Sequence, residues 1–81
     1  MEEKIAIIGL FVKDSSAAKA VNELLHKNAD KIVGRMGIPY RDEALSIISV
    51  IVRATADEIS ALSGALGRIE GVTAKSMQTA I

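Results

Sequence analysis

The stretch IAIIGLFV, which runs from Ile5 to Val12, decides the fold because apolar residues rich in isoleucine fill it almost completely. A run of this length, followed by the turn-forming residues 13–16, is typical of a buried strand. A second run of the same kind, ALSIISVIVR, covers Ala44 to Arg53. The two runs predict two buried strands around which the rest of the chain is arranged.

Helix signals follow each of these strands. Asp14 or Ser15 can cap a first helix, because either side chain can accept from the exposed amides of the first turn. The apolar positions of this helix share one face and are Ala17, Val21, Leu24, Leu25 and Ala29. A capping box, Thr55-Ala56-Asp57-Glu58, begins a second helix. The buried stripe of the second helix is predicted to be Ile59, Leu62, Leu66 and Ile69.

Two weaker strands complete the chain. Residues 31–38 predict a strand that contains Gly34 and Gly37, and Pro39 follows it. Proline cannot donate to a ladder, so this strand belongs at a sheet edge. Residues 40–43 are expected to turn the chain toward the third strand. The last strand is predicted at residues 72–77, after a left-handed glycine.

The order strand, helix, strand, strand, helix, strand predicts a single α+β domain over residues 1–81. It is the ferredoxin-like βαββαβ sandwich, with a four-stranded antiparallel sheet and both helices on one face. Right-handed crossovers place the first and third strands in the centre and the second and fourth at the edges. The two most apolar strands are indeed the first and the third.

The central strands are apolar on both faces, although only one face can pack on the helices. The first strand points Ile5, Ile7 and Phe11 one way and Ala6, Ile8, Leu10 and Val12 the other. The third strand points Leu45, Ile47 and Ile51 one way and Ile48, Val50 and Val52 the other. Soluble monomers rarely expose an apolar patch of several hundred Å². We therefore predict a homo-oligomer, a symmetric dimer in the first instance, that buries the second face or an adjoining strand edge. The alternative is a small domain that leaves some aliphatic side chains in water.

The composition argues against several classes of function. The chain of 81 residues has no cysteine and so no disulfide framework, CxxC redox site or cysteine zinc site. Its formal net charge is zero, which gives no electrostatic reason to expect direct nucleic-acid or membrane binding. Two aromatic residues, Phe11 and Tyr40, cannot form a stacking platform for bases. Residues 2–4 do not resemble the basic start of a signal peptide, so we expect a cytoplasmic protein.

No arrangement of residues points to catalysis. His26 is the only histidine, and a transition-metal site of usual composition needs more ligands than one chain of this composition offers. Asp57 and Glu58 are adjacent, but their place at a helix start explains both. No serine lies in a nucleophile elbow, and there is no phosphate-binding loop. We expect a protein that is not an enzyme and has neither a cofactor nor a metal.

The string Arg35-Met36-Gly37-Ile38-Pro39-Tyr40 is the most unusual local feature. Arginine and tyrosine near a sheet edge can bind a carboxylate, a phosphate or a partner subunit. The alternative is a hairpin corner in which Tyr40 covers the end of the sheet.

Three strings together resemble a known family: VNELL at residues 21–25, RMGIPY at 35–40 and LSGALGRIEGV at 62–72. Nearly the whole chain resembles the small regulators assigned to the iron-only hydrogenase system of anaerobic bacteria. The resemblance implies an ACT-like domain, related in fold to the C-terminal domain of the nickel-responsive repressor, and a regulatory role without catalysis. Nickel binding is not implied, because the repressor binds nickel with histidines and a cysteine, and this chain has one histidine and no cysteine. The repressor's separate DNA-binding segment is not implied either, because the predicted βαββαβ unit takes up the chain.

These observations favour a cytoplasmic regulatory module that acts by sheet-mediated self-association, with a small ligand or protein partner at the subunit boundary. The candidate residues for this ligand or subunit-boundary site are Asn22, Arg35 and Tyr40. One alternative is a sensor that binds an amino-acid-like anion through Arg35 and the N-terminus of the first helix. Another is a DNA-associated transcriptional regulator that needs a partner for the DNA contacts. A small hydrolase is disfavoured, since the sequence shows no arrangement of catalytic residues.

Overall fold

Strands and helices follow one another in the predicted order. The structure, a computed structural model, describes residues 2–40 and 44–80. Of the turn predicted at residues 40–43, residues 41–43 lie outside this description, and Tyr40 is the last residue of a strand. The elements are β1 (Glu3–Val12), α1 (Ser15–Lys27), β2 (Ile32–Tyr40), β3 (Leu45–Thr55), α2 (Ala56–Gly67) and β4 (Val72–Ala80).

The sheet has the strand order β2-β3-β1-β4, and every neighbouring pair is antiparallel. The two most apolar strands are therefore central, as predicted, and β2 and β4 are the edges. The register of β1 and β4 pairs Lys4 with Ala80, so both ends of the described chain meet at one corner of the sheet. A bulge between Ile32 and Gly34 shifts the register of β2.

Both helices begin at the predicted caps. The Asp14 carboxylate accepts from the backbone N–H of Ala17 at 2.7 Å. At α2 the capping box is complete: the Glu58 N–H donates to the Thr55 hydroxyl at 3.2 Å, and the Thr55 N–H donates to the Glu58 carboxylate at 2.9 Å. These caps satisfy amides that the helices themselves leave without a partner.

The core lies between the sheet and the two helices. In each central strand the core residues are alternate residues, whose side chains point to the helices. They are Ala6, Ile8, Leu10 and Val12 of β1 and Ile48, Val50, Val52 and Ala54 of β3. From the helices the core takes Ala17, Val21, Leu25, Ile59, Leu62 and Leu66. The fold is the predicted α+β, ferredoxin-like βαββαβ sandwich with both helices on one face of the sheet.

Several boundaries differ from the prediction. The α1 helix ends at Lys27, and Ala29 is exposed in a short 3₁₀ turn instead of extending the buried stripe. The β2 strand includes Pro39, which an edge strand tolerates because its outer side needs no donor. The β4 strand continues to Ala80, since β1 supplies a ladder partner for each of its polar residues.

Candidate functional site

The sheet face that points away from the helices is apolar, and we call it the free face. Strand register places Ile5, Ile7 and Phe11 of β1 there with Leu45, Ile47 and Ile51 of β3. It adds Met36, Ile38 and Tyr40 of β2 and Met77 of β4. Six of these large side chains are exposed, from 40% for Ile7 to 69% for Met77. The two-faced character predicted for the central strands is therefore present.

The middle of the free face carries small side chains, and its charged side chains lie near one end and on an edge strand. Gly9 lies between Ile7 and Phe11 along β1 and pairs with Ser49 and Lys75 on the neighbouring strands. Arg53 donates to the Glu3 carboxylate at 3.0 Å near one end of the face. The charges described on this face are thus an ion pair near one end and a lysine on an edge strand, positions typical of the rim of an interface.

Two of the three predicted site residues meet on the helix side of the β2 edge. Arg35 pairs with buried Val50 in the sheet register, and its Nη2 donates to the Asn22 amide oxygen at 2.8 Å. Tyr40 is five residues further along β2, so it falls on the free face opposite Leu45. The structure therefore brings Asn22 and Arg35 together and separates Tyr40 from them.

A cavity of about 310 Å³ adjoins this contact, and we call it the edge pocket. Its lining consists of Asn22, Leu25, His26, Ala29, Ile32 and Arg35. His26 is not among the predicted site residues, yet it lies in this lining together with Arg35. The available signal was spacing, because Asn22 and His26 are four residues apart and so lie on one helix face.

The N-terminus of α1 already holds a negative charge. The backbone N–H of Ala17, and secondarily the Ser16 hydroxyl, keep the pKa of Asp14 below its ordinary value, so the cap is a carboxylate at neutral pH. Asn22, which contacts Arg35, is seven residues from Ser15, or about 10 Å along the helix axis. A single anion held by both this N-terminus and Arg35 therefore does not fit the geometry.

Two further surface features are accounted for by the fold. A hydrogen bond from the Thr55 backbone lowers the pKa of Glu58, which is a capping residue. A wide concavity of about 800 Å³ is lined by α1 alone and is an open flank of that helix. Within residues 2–40 and 44–80, no three His, Asp or Glu side chains are grouped to hold a metal ion. No helix in that part of the chain has the length and apolar character needed to cross a membrane.

Comparison with known proteins identifies a family and a similar solved structure. The profile of the TM1266-like family, described as "Iron-only hydrogenase system regulator, putative", matches residues 4–76. The structure of the uncharacterized protein TM1266 from Thermotoga maritima is 38% identical to this chain, with a TM-score of 0.91. That match covers 95% of this chain and 98% of the other.

A more distant structural match adds no argument. It is LarC2, the C-terminal domain of a cyclometallase involved in the synthesis of the NPN cofactor of lactate racemase, in its apo form. The identity is 15%, the TM-score is 0.43, and the match covers 96% of this chain and 57% of that chain. No curated protein matches the chain.

Proposed function

Since the chain belongs to the TM1266-like family of iron-only hydrogenase system regulators, we propose that it is a non-catalytic regulatory domain that acts as a homo-oligomer. Two copies associate through their free faces, and the assembled form engages the hydrogenase system. The family description supports the regulatory role. The apolar free face is the observation that carries the self-association.

The exposed apolar side chains of the free face are too concentrated for an ordinary surface. Isolated exposed aliphatics need no explanation, whereas a contiguous patch does. Ile7 pairs with Ile51 on one side and Met77 on the other, and Ile38 pairs with Ile47. These cross-strand pairs lie on the same face of the sheet, so a partner that covers this face removes all of them from water together.

The size of the free face matches a modest dimer interface. Four strands about 4.8 Å apart and about nine residues long, at 3.3 Å each, span roughly 500–600 Å². Two such faces in contact bury above about 1,000 Å², the lower bound for a specific interface. The strands of this sheet are 9 to 11 residues long, which agrees with the length used in this estimate.

Charge favours a second copy as the occupant. The formal net charge of the chain is zero, so two copies do not repel one another. On the free face Arg53 is already paired with Glu3, and Lys75 lies on edge strand β4, where its ammonium can stay in water. A symmetric face-to-face contact therefore buries no unpaired charge.

Sedimentation velocity at micromolar concentration tests this proposal. The wild-type chain is expected to sediment as a dimer or larger species, and Ile7→Lys as a monomer, because it places an ammonium in the apolar centre. Ala61→Lys, an exposed position on α2, adds the same charge elsewhere and should leave assembly unchanged. Far-ultraviolet circular dichroism verifies that each variant is folded. A monomeric wild-type protein, or an Ile7→Lys variant that still assembles, would overturn the proposal.

A further inference from the structure

We propose that the edge pocket binds a small 2-oxo carboxylate with a short branched aliphatic chain. The edge pocket lies between α1 and β2 on the helix side of the sheet. The free face is on the opposite side, so this inference does not depend on self-association. It rests on three properties of the lining. These are the guanidinium of Arg35, a polar rim of hydrogen-bond donors, and an apolar floor.

The guanidinium of Arg35 supplies the charge. Arginine carries five N–H donors in a planar fork that matches a carboxylate. In the described part of the chain, its one side-chain hydrogen bond goes to the neutral amide of Asn22, at 2.8 Å. Neither of the ion pairs there involves Arg35. Among residues 2–40 and 44–80, Asn22 is therefore its one side-chain partner, which leaves further guanidinium donors to meet an anion.

The polar rim of the edge pocket is composed of donors. Arginine cannot accept, so the Asn22 atom that faces Arg35 is its oxygen, and its NH₂ group is left to donate. His26 offers at least one ring N–H in either protonation state. None of the described residues that line the pocket is an Asp or a Glu. A 2-oxo acid presents acceptors at both its carboxylate and its carbonyl, whereas the ammonium of an amino acid finds no acidic side chain.

The floor of the edge pocket is apolar. Leu25 is only 1% exposed, and Ile32 is half-buried beside Ala29. A volume of about 310 Å³ is at the small end of ligand sites, which suits an acid of four or five carbons. Such a ligand would place its aliphatic end on the floor and its two polar groups at the rim.

A carboxylate fits the edge pocket better than a phosphate. Phosphate sites typically use backbone amides at a helix N-terminus. Asn22 and His26 lie instead in the C-terminal half of α1, where the helix dipole disfavours a dianion more than a monoanion. Planar, bidentate recognition by Arg35 is also the geometry that a carboxylate requires.

An NMR titration of the ¹⁵N-labelled protein with 3-methyl-2-oxobutanoate, in buffer of low chloride, tests the proposal. We expect saturable shifts of the backbone amides at residues 22–35. L-valine has the same carbon skeleton with an ammonium in place of the carbonyl, and should bind at least about tenfold more weakly. Absence of saturable shifts up to about 50 mM ligand, or equal binding of L-valine, would overturn the proposal.

Variants of the rim separate this site from a general anion effect. Arg35→Gln should weaken binding at least about tenfold, and Arg68→Gln, an exposed arginine beyond α2, should not. Asn22→Asp preserves the side-chain shape but gives Arg35 a competing carboxylate, so it should also weaken binding. The unligated spectrum of each variant reports its fold. Wild-type affinity in Arg35→Gln or in Asn22→Asp would contradict the assignment of the edge pocket.

Discussion

Asp14 and Gly71 meet at the corner where α1 begins and β4 approaches. Gly71 has a φ of +89°, a conformation that L side chains rarely adopt. Its carbonyl accepts from the backbone N–H of Lys13 at 2.9 Å, which ties the loop before β4 to the end of β1. A Cβ at Gly71 would lie 3.2 Å from the Asp14 carboxylate. Backbone conformation and space therefore both require glycine here.

Gly71→Ala is expected to lower the free energy of unfolding by about 1–3 kcal/mol, because alanine at positive φ is strained. Urea unfolding at one fixed protein concentration measures the change. The control is Gly34→Ala, since an added Cβ there meets nothing within 4 Å. It should leave stability unchanged or raise it slightly. Equal effects of the two substitutions would contradict the argument from conformation.

The cap of α1 predicts a pH dependence. Hydrogen bonds, first from the Ala17 N–H, lower the pKa of Asp14 in the folded protein. Because this pKa is lower in the folded protein than in the unfolded chain, ionised Asp14 stabilises the fold at pH values above its unfolded pKa. This contribution is lost as the pH falls below about 4. Asp14→Asn retains a capping oxygen but does not titrate, so it should lose less stability between pH 5 and pH 3 than the wild type. Thermal unfolding at both pH values measures the difference.

Asp14→Ala is the comparison variant, because it removes the capping oxygen altogether. It should unfold at a lower temperature than Asp14→Asn at neutral pH, because the Ala17 amide loses its acceptor. If Asp14→Asn and the wild type lost the same stability on acidification, Asp14 would not contribute to the pH dependence.

The two faces of β1 should respond differently to truncation. Ile8 is fully buried against the helices, so Ile8→Ala should cost about 2–5 kcal/mol of unfolding free energy at any protein concentration. Its neighbour Ile7 is 40% exposed on the free face, so Ile7→Ala should weaken dimerisation while the dissociated chain stays folded. Chemical unfolding and sedimentation on the same samples distinguish the two effects. An Ile7→Ala variant as destabilised as Ile8→Ala under dissociating conditions would contradict this division.

Strands and helices were predictable wherever apolar residues mark one face. The parity of β1 and β3 follows directly from alternation, and the caps of both helices follow from local chemistry. The extension of β4 beyond Met77 was not predictable, because Gln78 and Thr79 carry no apolar signal and owe their strand geometry to β1. The early end of α1 was missed for a similar reason, since Ala29 is equally suited to a helix or to a 3₁₀ turn.

The candidate site was predictable only in part. Asn22 and Arg35 are thirteen residues apart, and their contact depends on the register of β2 and its bulge. Tyr40 could have been separated from Arg35 by parity, because a spacing of five residues places two side chains on opposite faces of a strand. The edge pocket itself arises from the packing of α1 on β2, which no local pattern specifies.

Self-association should make stability depend on protein concentration. If two folded copies bind and unfolded chains do not, a hundredfold increase in concentration stabilises the folded dimer by about 2.7 kcal/mol. Thermal unfolding across that range should show a rising midpoint for the wild type and a constant one for Ile7→Lys. The shift should be nearly insensitive to salt, since the free face is apolar. A midpoint independent of concentration in the wild type would contradict a dimer.

The regulatory role can be tested in the organism that carries the chain. Deletion of the gene should change the amount or activity of its iron-only hydrogenase, and the wild-type gene should restore it. Ile7→Lys should fail to restore it if assembly is needed, whereas Ala61→Lys should succeed. An unchanged hydrogenase after deletion would contradict the regulatory role and leave the ligand titration of the edge pocket unaffected.

The pairing of Lys4 with Ala80 allows the connectivity of the chain to be changed. Antiparallel ladder partners lie only about 5 Å apart, so one or two glycines could join the ends of the backbone into a ring. A cyclised chain would keep every strand and helix in place while restricting the conformations of the unfolded chain. Conversely, anything fused before residue 3 and anything fused after residue 80 would emerge from one corner of the sheet, next to each other.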